Sequence, residues 1–151
     1  ARGIGTGLGP IMARRFLTNE ERWPLLIGLL VVVSGFFYLL VGLTLGINLW
    51  LTFALVTLAH SASGGNWVLS TILTQRWVED EIRGRVFSID MLTMSIAFSV
   101  SSASAGYLLE NGYLNLQTGF QCFAVLMMFS GIVFTLWRPG RSKATDMPVH
   151  S

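Results

Sequence analysis

Four long apolar runs alternate with short polar stretches along this chain. They cover residues 24–46, 47–73, 87–109 and 117–137, and they contain no lysine, no arginine and one acid, Asp90. A run of about 18 or more apolar residues without charge is long enough to cross a bilayer as a helix. The apolar pattern runs all round each segment, whereas a surface helix of a soluble protein keeps one polar face. The expected fold is therefore an all-α integral membrane bundle with four complete transmembrane helices.

A further helical pattern precedes them. The opening stretch carries glycine at positions 3, 5, 7 and 9, interleaved with Ile4, Leu8, Ile11 and Met12 at helical spacing. Gly3 and Gly7, and Gly5 and Gly9, each form a small-xxx-small pair, which lets helix backbones approach closely in lipid. A nucleotide-binding glycine loop is the rival reading, but it needs a preceding strand and a third glycine at the right spacing. The stretch reads as the end of a fifth membrane helix already under way. The chain is accordingly expected to be a fragment that lacks its N-terminal portion.

Polar residues refine the segments. Thr18 or Asn19 is expected to cap the helix that Pro24 opens. That first full span, about 25–45, is almost empty of polar atoms and is expected to face lipid over much of its surface. A tight turn at Gly46, Ile47 and Asn48 leads into the second span, the most polar at mid-depth, with His60, Ser61, Ser63 and Asn66 beside Gly64 and Gly65. Such groups are costly in hydrocarbon and are expected to face the bundle interior or an aqueous cavity. His60, Ser63 and Asn66 follow one another at i, i+3 spacing. Residues 75–85 read as a charged loop with a short helical turn ending at Gly84. The third span, 86–109, holds Ser95, Ser99, Ser101, Ser102 and Ser104 and is expected to pack closely with neighbours on several sides. Glu110 and the residues after it form an outer turn. The fourth span, 118–136, is aromatic and Met-rich, and Trp137 fits an interfacial anchor. The tail, 138–151, is expected to be disordered and to lie in the cytoplasm.

Charge supports this topology. The sequence is 52% hydrophobic and 12% charged, about half the charged share of an ordinary soluble domain. Arg14, Arg15 and Arg22 precede the first run, Arg76, Arg83 and Arg85 separate the second from the third, and Arg138, Arg141 and Lys143 follow the fourth. The other two connections carry no basic residue, so the basic ends are expected on the cytoplasmic side. These arginines flank apolar spans and form no basic stripe, which argues against nucleic acid as a partner. Cys122 is the single cysteine. It has no internal disulfide partner and no metal-ligand spacing, and it reads as a packing residue. No metal and no cofactor is expected.

The order of these features resembles the last third of a major facilitator superfamily transporter. Gly9-Pro10-Ile11-Met12-Ala13-Arg14-Arg15 is similar to the second copy of that family's cytoplasmic loop motif, with Ala13 where the motif has Asp. Val78-Glu79-Asp80-Glu81-Ile82-Arg83-Gly84-Arg85-Val86-Phe87 is similar to a loop of bacterial exporters that leads into the eleventh helix. The resemblance implies that residues 1 to about 16 end the eighth helix and that the four spans are the ninth to twelfth. Residues 1–137 would then be a partial C-terminal bundle in a bacterial inner membrane, completed by the missing N-terminal half.

Transport of a small molecule by alternating access, in the efflux direction, is the function this implies. The alternative is a structural or accessory multi-span subunit without transport of its own. Catalysis is not expected: His60 and Ser63 have no third member of a triad and no oxyanion motif. The substrate or cavity candidates are His60, Ser63, Asn66 and Arg2. Arg2 is expected near mid-membrane or in its outer half, paired with an anionic substrate or with an acid in the missing half; the competing reading is an arginine reaching outward to the headgroups. The candidates for a cytoplasmic gate or loop are Gly9, Arg14, Arg15, Arg83, Arg85 and Asp90. Asp90 is expected to form an ion pair or helix contact there.

Overall fold

The structure, a computed structural model, describes residues 1–13 and 22–137. Those residues form five helices: α1 (Arg2–Ala13), α2 (Trp23–Thr44), α3 (Leu49–Trp77), α4 (Asp80–Glu110) and α5 (Leu116–Trp137). Arg14, Arg15, the expected caps Thr18 and Asn19, and the tail lie outside the described residues.

Helices α2, α4 and α5 are long and apolar enough to cross a membrane. At 29 residues, α3 spans about 44 Å and has the length. Its composition sets it apart, so three helices, and not the four expected, are long and apolar enough to cross a membrane among the described residues. His60, Ser61, Ser63 and Asn66 interrupt the apolar run at mid-helix.

The turns follow local chemistry. Gly46 ends α2 with φ of 86°, in the left-handed region that glycine enters without steric cost. Asn48 then caps α3, its side-chain oxygen accepting from the backbone N–H groups of Trp50 and Leu51 at 2.9 and 3.2 Å. The charged loop expected over 75–85 is much shorter than that. α3 continues to Trp77 and α4 starts at Asp80, leaving only Val78 and Glu79 between them. Asp80 and Glu81 suit the positive end of α4, Arg83 pairs with Asp80, and Arg83 also donates to the Val78 carbonyl. Gly84 is carried inside α4 and does not end a turn there.

Helices α1, α3, α2 and α5 form one layer, in that order. α1 runs parallel to α3: an added Cβ on Gly5 would meet Thr57 and His60, and one on Gly9 would meet Ser61, Gly64 and Gly65. α2 and α5 run antiparallel along a seam where Gly28, Gly35 and Gly42 meet Thr135, Met128 and Gln121. Gly28 and Gly131 lie back to back, with 3.0 Å between a Cβ on Gly131 and the Gly28 carbonyl oxygen. α2 is therefore the central helix, packed on both α3 and α5. The expectation that it mainly faces lipid is corrected. Such glycines are averaged away in a hydropathy profile, yet at a seven-residue repeat, about two helical turns, they form a groove for a neighbour.

α4 is the second correction. Among the described residues it packs along no other helix, and none of its residues is buried. Ser88, Ser95 and Ser99 donate to the carbonyls of their own helix four residues back. Hydroxyls satisfied in this way need no neighbour.

The chain directions place the end of α1, the start of α2, the end of α3, the start of α4 and the end of α5 at one face of the layer. The guanidinium of Arg76 over the Trp23 ring, 5.2 Å from its centroid, ties two of these ends together. Among the described residues, Arg22, Arg76, Arg83 and Arg85 thus adjoin one face. In full-length protein carrying Cys122→Ser, single cysteines at Arg22 and Glu81 are expected to react with an impermeant thiol reagent from one side. Cysteines at Ile47 and Tyr113 are expected to react from the other. Labelling of Arg22→Cys and Glu81→Cys from opposite sides would overturn this topology.

Candidate functional site

The glycine face of α1 explains the position of the polar centre of α3. Gly5 and Gly9 are buried against α3, and only backbone or Cβ atoms face them there. Gly3 and Gly7, the other pair, meet nothing within 4 Å. Gly9 is therefore a packing residue inside a helix, directly opposite the Gly64–Gly65 step. Ser61 is buried at this contact and donates to the Thr57 carbonyl at 2.9 Å.

The opposite side of α3 meets α2. Ser34, fully buried, donates to the Ala59 carbonyl at 2.9 Å, a hydrogen bond between helices. One turn further along α2, the Tyr38 hydroxyl lies 3.2 and 3.3 Å from the two ring nitrogens of His60. His60 Nδ1 also lies 3.0 Å from the Val56 carbonyl. A carbonyl only accepts, so Nδ1 carries the proton and Nε2 is the acceptor for the Tyr38 hydroxyl. The rings of Tyr38 and His60 meet edge to face at 5.7 Å. Tyr38 also stacks with Phe120 and meets Phe123 edge-on, with centroids at 6.4 and 5.9 Å. One side chain thus joins α2, α3 and α5.

The sequence candidates separate in space. His60 is half-buried at the Tyr38 junction, Ser63 is exposed, and Asn66 is half-buried with an Oδ1 that has no hydrogen-bond partner. Their shared spacing does not make them one cluster. Leu55 and Leu69 are buried, while Leu58 is exposed. Arg2 is exposed on the turn before Gly5, and Thr6 donates to its carbonyl at 3.0 Å. Arg83 clasps the α3–α4 junction, and Arg85 is exposed. Asp90 is exposed on α4, and among the described residues no helix packs along α4 beside it.

Tyr38 and Ser34 are missing from the sequence candidates. Their signal is present: before Thr44 at its end, they are the hydrogen-bonding side chains of α2 beyond its first residue, and they stand four apart on one face.

The whole arrangement is helical, apolar outside and polar at a junction of three helices. A family model for the Major Facilitator Superfamily matches residues 1–149. The chain belongs to the Major Facilitator Superfamily. Membership in this superfamily implies secondary transport, a small-molecule substrate and a membrane setting. Superfamily members are transporters and not enzymes, so the Tyr38–His60 pair is not catalytic. Comparison with curated proteins and with solved structures gave no match.

Proposed function

We propose that this chain is the C-terminal part of a secondary active transporter that exports a small molecule by alternating access. In this reading α1 ends the eighth helix of a twelve-helix unit, and α2 to α5 are the ninth to the twelfth. The loop-motif residues Gly9 and Arg14 and the acidic stretch before Arg83-Gly84-Arg85-Val86 support that placement. The uncovered length of α4 supports it too, since a 31-residue helix without a buried residue is what a partial bundle leaves open. α3 is then a fourth crossing. Its polar centre is tolerated because neighbouring helices and an aqueous cavity satisfy it. The membrane is a bacterial inner membrane, with the basic ends and the tail in the cytoplasm.

The observation that carries the reading is the position of His60. An ionisable side chain at mid-helix of a membrane bundle marks a substrate or ion pathway by default. Here it is held by Tyr38 from α2 on a helix whose other side is locked to α1. The exposed Ser63, three residues on, lies on the open part of that helix. Export is tested in everted membrane vesicles containing the full-length protein. A radiolabelled solute panel is expected to include at least one compound that accumulates uphill and escapes when the ion gradient is dissipated. Accumulation indistinguishable from vesicles lacking the protein, across the panel and in both vesicle orientations, would overturn the proposal.

A further inference from the structure

Two packed helices carry their weak points at the same level. Pro10 lies inside α1, and proline has no N–H to give the Thr6 carbonyl one turn back. Its ring also crowds that carbonyl, so the backbone over residues 6–10 bends more readily than the rest of α1. The Thr6 carbonyl faces α3 at Gly64, where an added Cβ would stand 2.9 Å from its oxygen. Gly64 and Gly65, both buried, are the one pair of adjacent glycines in the chain, and glycine holds a helix poorly. Gly9 presses on the same step. A Cβ on it would stand 2.5 Å from the Ser61 oxygen and the Gly65 nitrogen, the two atoms that close one turn of α3. Side-chain hydroxyls add to both weak points. Thr6 Oγ1 donates to the Arg2 carbonyl at 3.0 Å and Ser61 Oγ to the Thr57 carbonyl at 2.9 Å, a contact that often bends a helix.

The two helices are coupled at this level. Gly5, Gly9 and Gly64 each meet backbone or Cβ atoms of the other helix, so no flexible side chain absorbs a movement between them. A bend in one displaces the other. The level is also the polar centre of α3, with half-buried His60 just outward of it, exposed Ser63 beside it and Asn66 just beyond. Residues 66–77 extend about 18 Å past it, so a bend of about 10° carries their far end roughly 3 Å. Over that length Leu69, Ile72 and Leu73 pack with Trp23 and Ile27 of α2, and Arg76 lies over the Trp23 ring. Bending therefore also shifts the start of α2, at the same face.

We propose that residues 6–10 of α1 and residues 61–65 of α3 form one coupled hinge. About it the ends of α1 and α3 at the Arg76 face swing together, opening and closing the approach to the polar centre from that face. This rests on the transport reading and names the element that moves in it. Rigid-body rotation of the whole bundle needs no such matched pair of weak points.

The test uses full-length protein carrying Cys122→Ser and Ser63→Cys, and compares Pro10→Ala with Gly3→Ala in that background. Pro10 is exposed, and alanine there returns an N–H to the Thr6 carbonyl. Gly3 also lies on α1 but outside residues 6–10, with nothing within 4 Å of an added Cβ. Pro10→Ala is expected to raise the unfolding temperature and to slow amide hydrogen exchange on both helices, in residues 64–69 of α3 as well as in α1. Modification of Ser63→Cys by an impermeant methanethiosulfonate, applied from the Arg76 face, is expected to slow by about threefold or more, the factor by which the bent state loses population. Gly3→Ala is expected to leave the exchange of residues 64–69 and the modification rate unchanged. Exchange slowed on α1 but not on α3 overturns the coupling. A modification rate equal to that of the parent, or equal slowing by Gly3→Ala, overturns the hinge. A lower unfolding temperature for Pro10→Ala overturns it too, because the restored bond then does not stiffen α1. Ser63→Cys unmodified from either side removes the transport reading, and the exchange result still decides the hinge.

Discussion

Replacing Gly9 by valine is expected to detach α1 from α3 and to remove most folded protein from the membrane. A Cβ at Gly9 would stand 2.5 Å from the Gly65 nitrogen and the Ser61 oxygen, and 2.7 Å from the Gly64 carbonyl carbon. All three are backbone atoms of a helix, so none rotates away. Overpacking of a side chain against side chains costs about 1–3 kcal/mol. Against fixed backbone the helices must separate, and lipid supplies no hydrophobic drive to hold them together. Gly7→Val is the matched control, since nothing lies within 4 Å of a Cβ there. Unfolding temperature and accumulation in membranes are expected to fall sharply for Gly9→Val and to stay near wild type for Gly7→Val. Equal behaviour of the two variants would remove the α1–α3 register.

His60→Ala is expected to reduce uphill flux by about tenfold or more while membrane insertion is unchanged. The factor corresponds to a loss of about 1.4 kcal/mol in the rate-limiting step. Interhelical hydrogen bonds in membranes average about 0.6 kcal/mol, with a maximum near 1.7, so structural loss of the Tyr38 contact alone leaves the bundle folded. Tyr38→Phe removes the same hydroxyl from the other side and keeps the rings against Phe120 and Phe123. It therefore separates the two roles. A structural role for His60 predicts equal flux losses in the two variants. A role in the pathway predicts a much larger loss in His60→Ala. Flux at wild-type level in His60→Ala would reduce the residue to a packing contact.

The helices themselves were legible, because an uncharged apolar run of bilayer length has few other uses. The polar centre of α3 was legible for the same energetic reason: His60 and Asn66 stand out where hydrocarbon penalises them. Packing was much less visible. A hydropathy pattern does not distinguish a helix buried among helices from one in lipid, since both surroundings are apolar. α2, expected to face lipid, is instead the central helix; its partner-facing stripe is written in Gly28, Gly35 and Gly42, which a hydrophobicity average conceals. The serines of α4 misled in the opposite direction. Small hydroxyl residues suit a helix interface, but they also bond to their own helix, as Ser88, Ser95 and Ser99 do. The charge of the stretch 75–85 reads as solvation, and hence as a loop, in sequence alone. Acids at a helix start and an i, i+3 ion pair instead extend α4 beyond the apolar run. Tyr38 is not legible in the sequence, because a phenol on an apolar helix has the same pattern as a packing residue and only its position beside His60 gives its hydroxyl a partner.

The most direct test of transport needs no known substrate. Ser63 is exposed on the polar part of α3, one turn from His60. In full-length protein with Cys122→Ser, reconstituted in one orientation, Ser63→Cys is treated with an impermeant thiol reagent from each side in turn. Alternating access predicts labelling from both sides, with cross-linking of the transporter in one state abolishing labelling from the other side. Labelling from neither side would place Ser63 in lipid or in sealed protein and would contradict a transport pathway along α3.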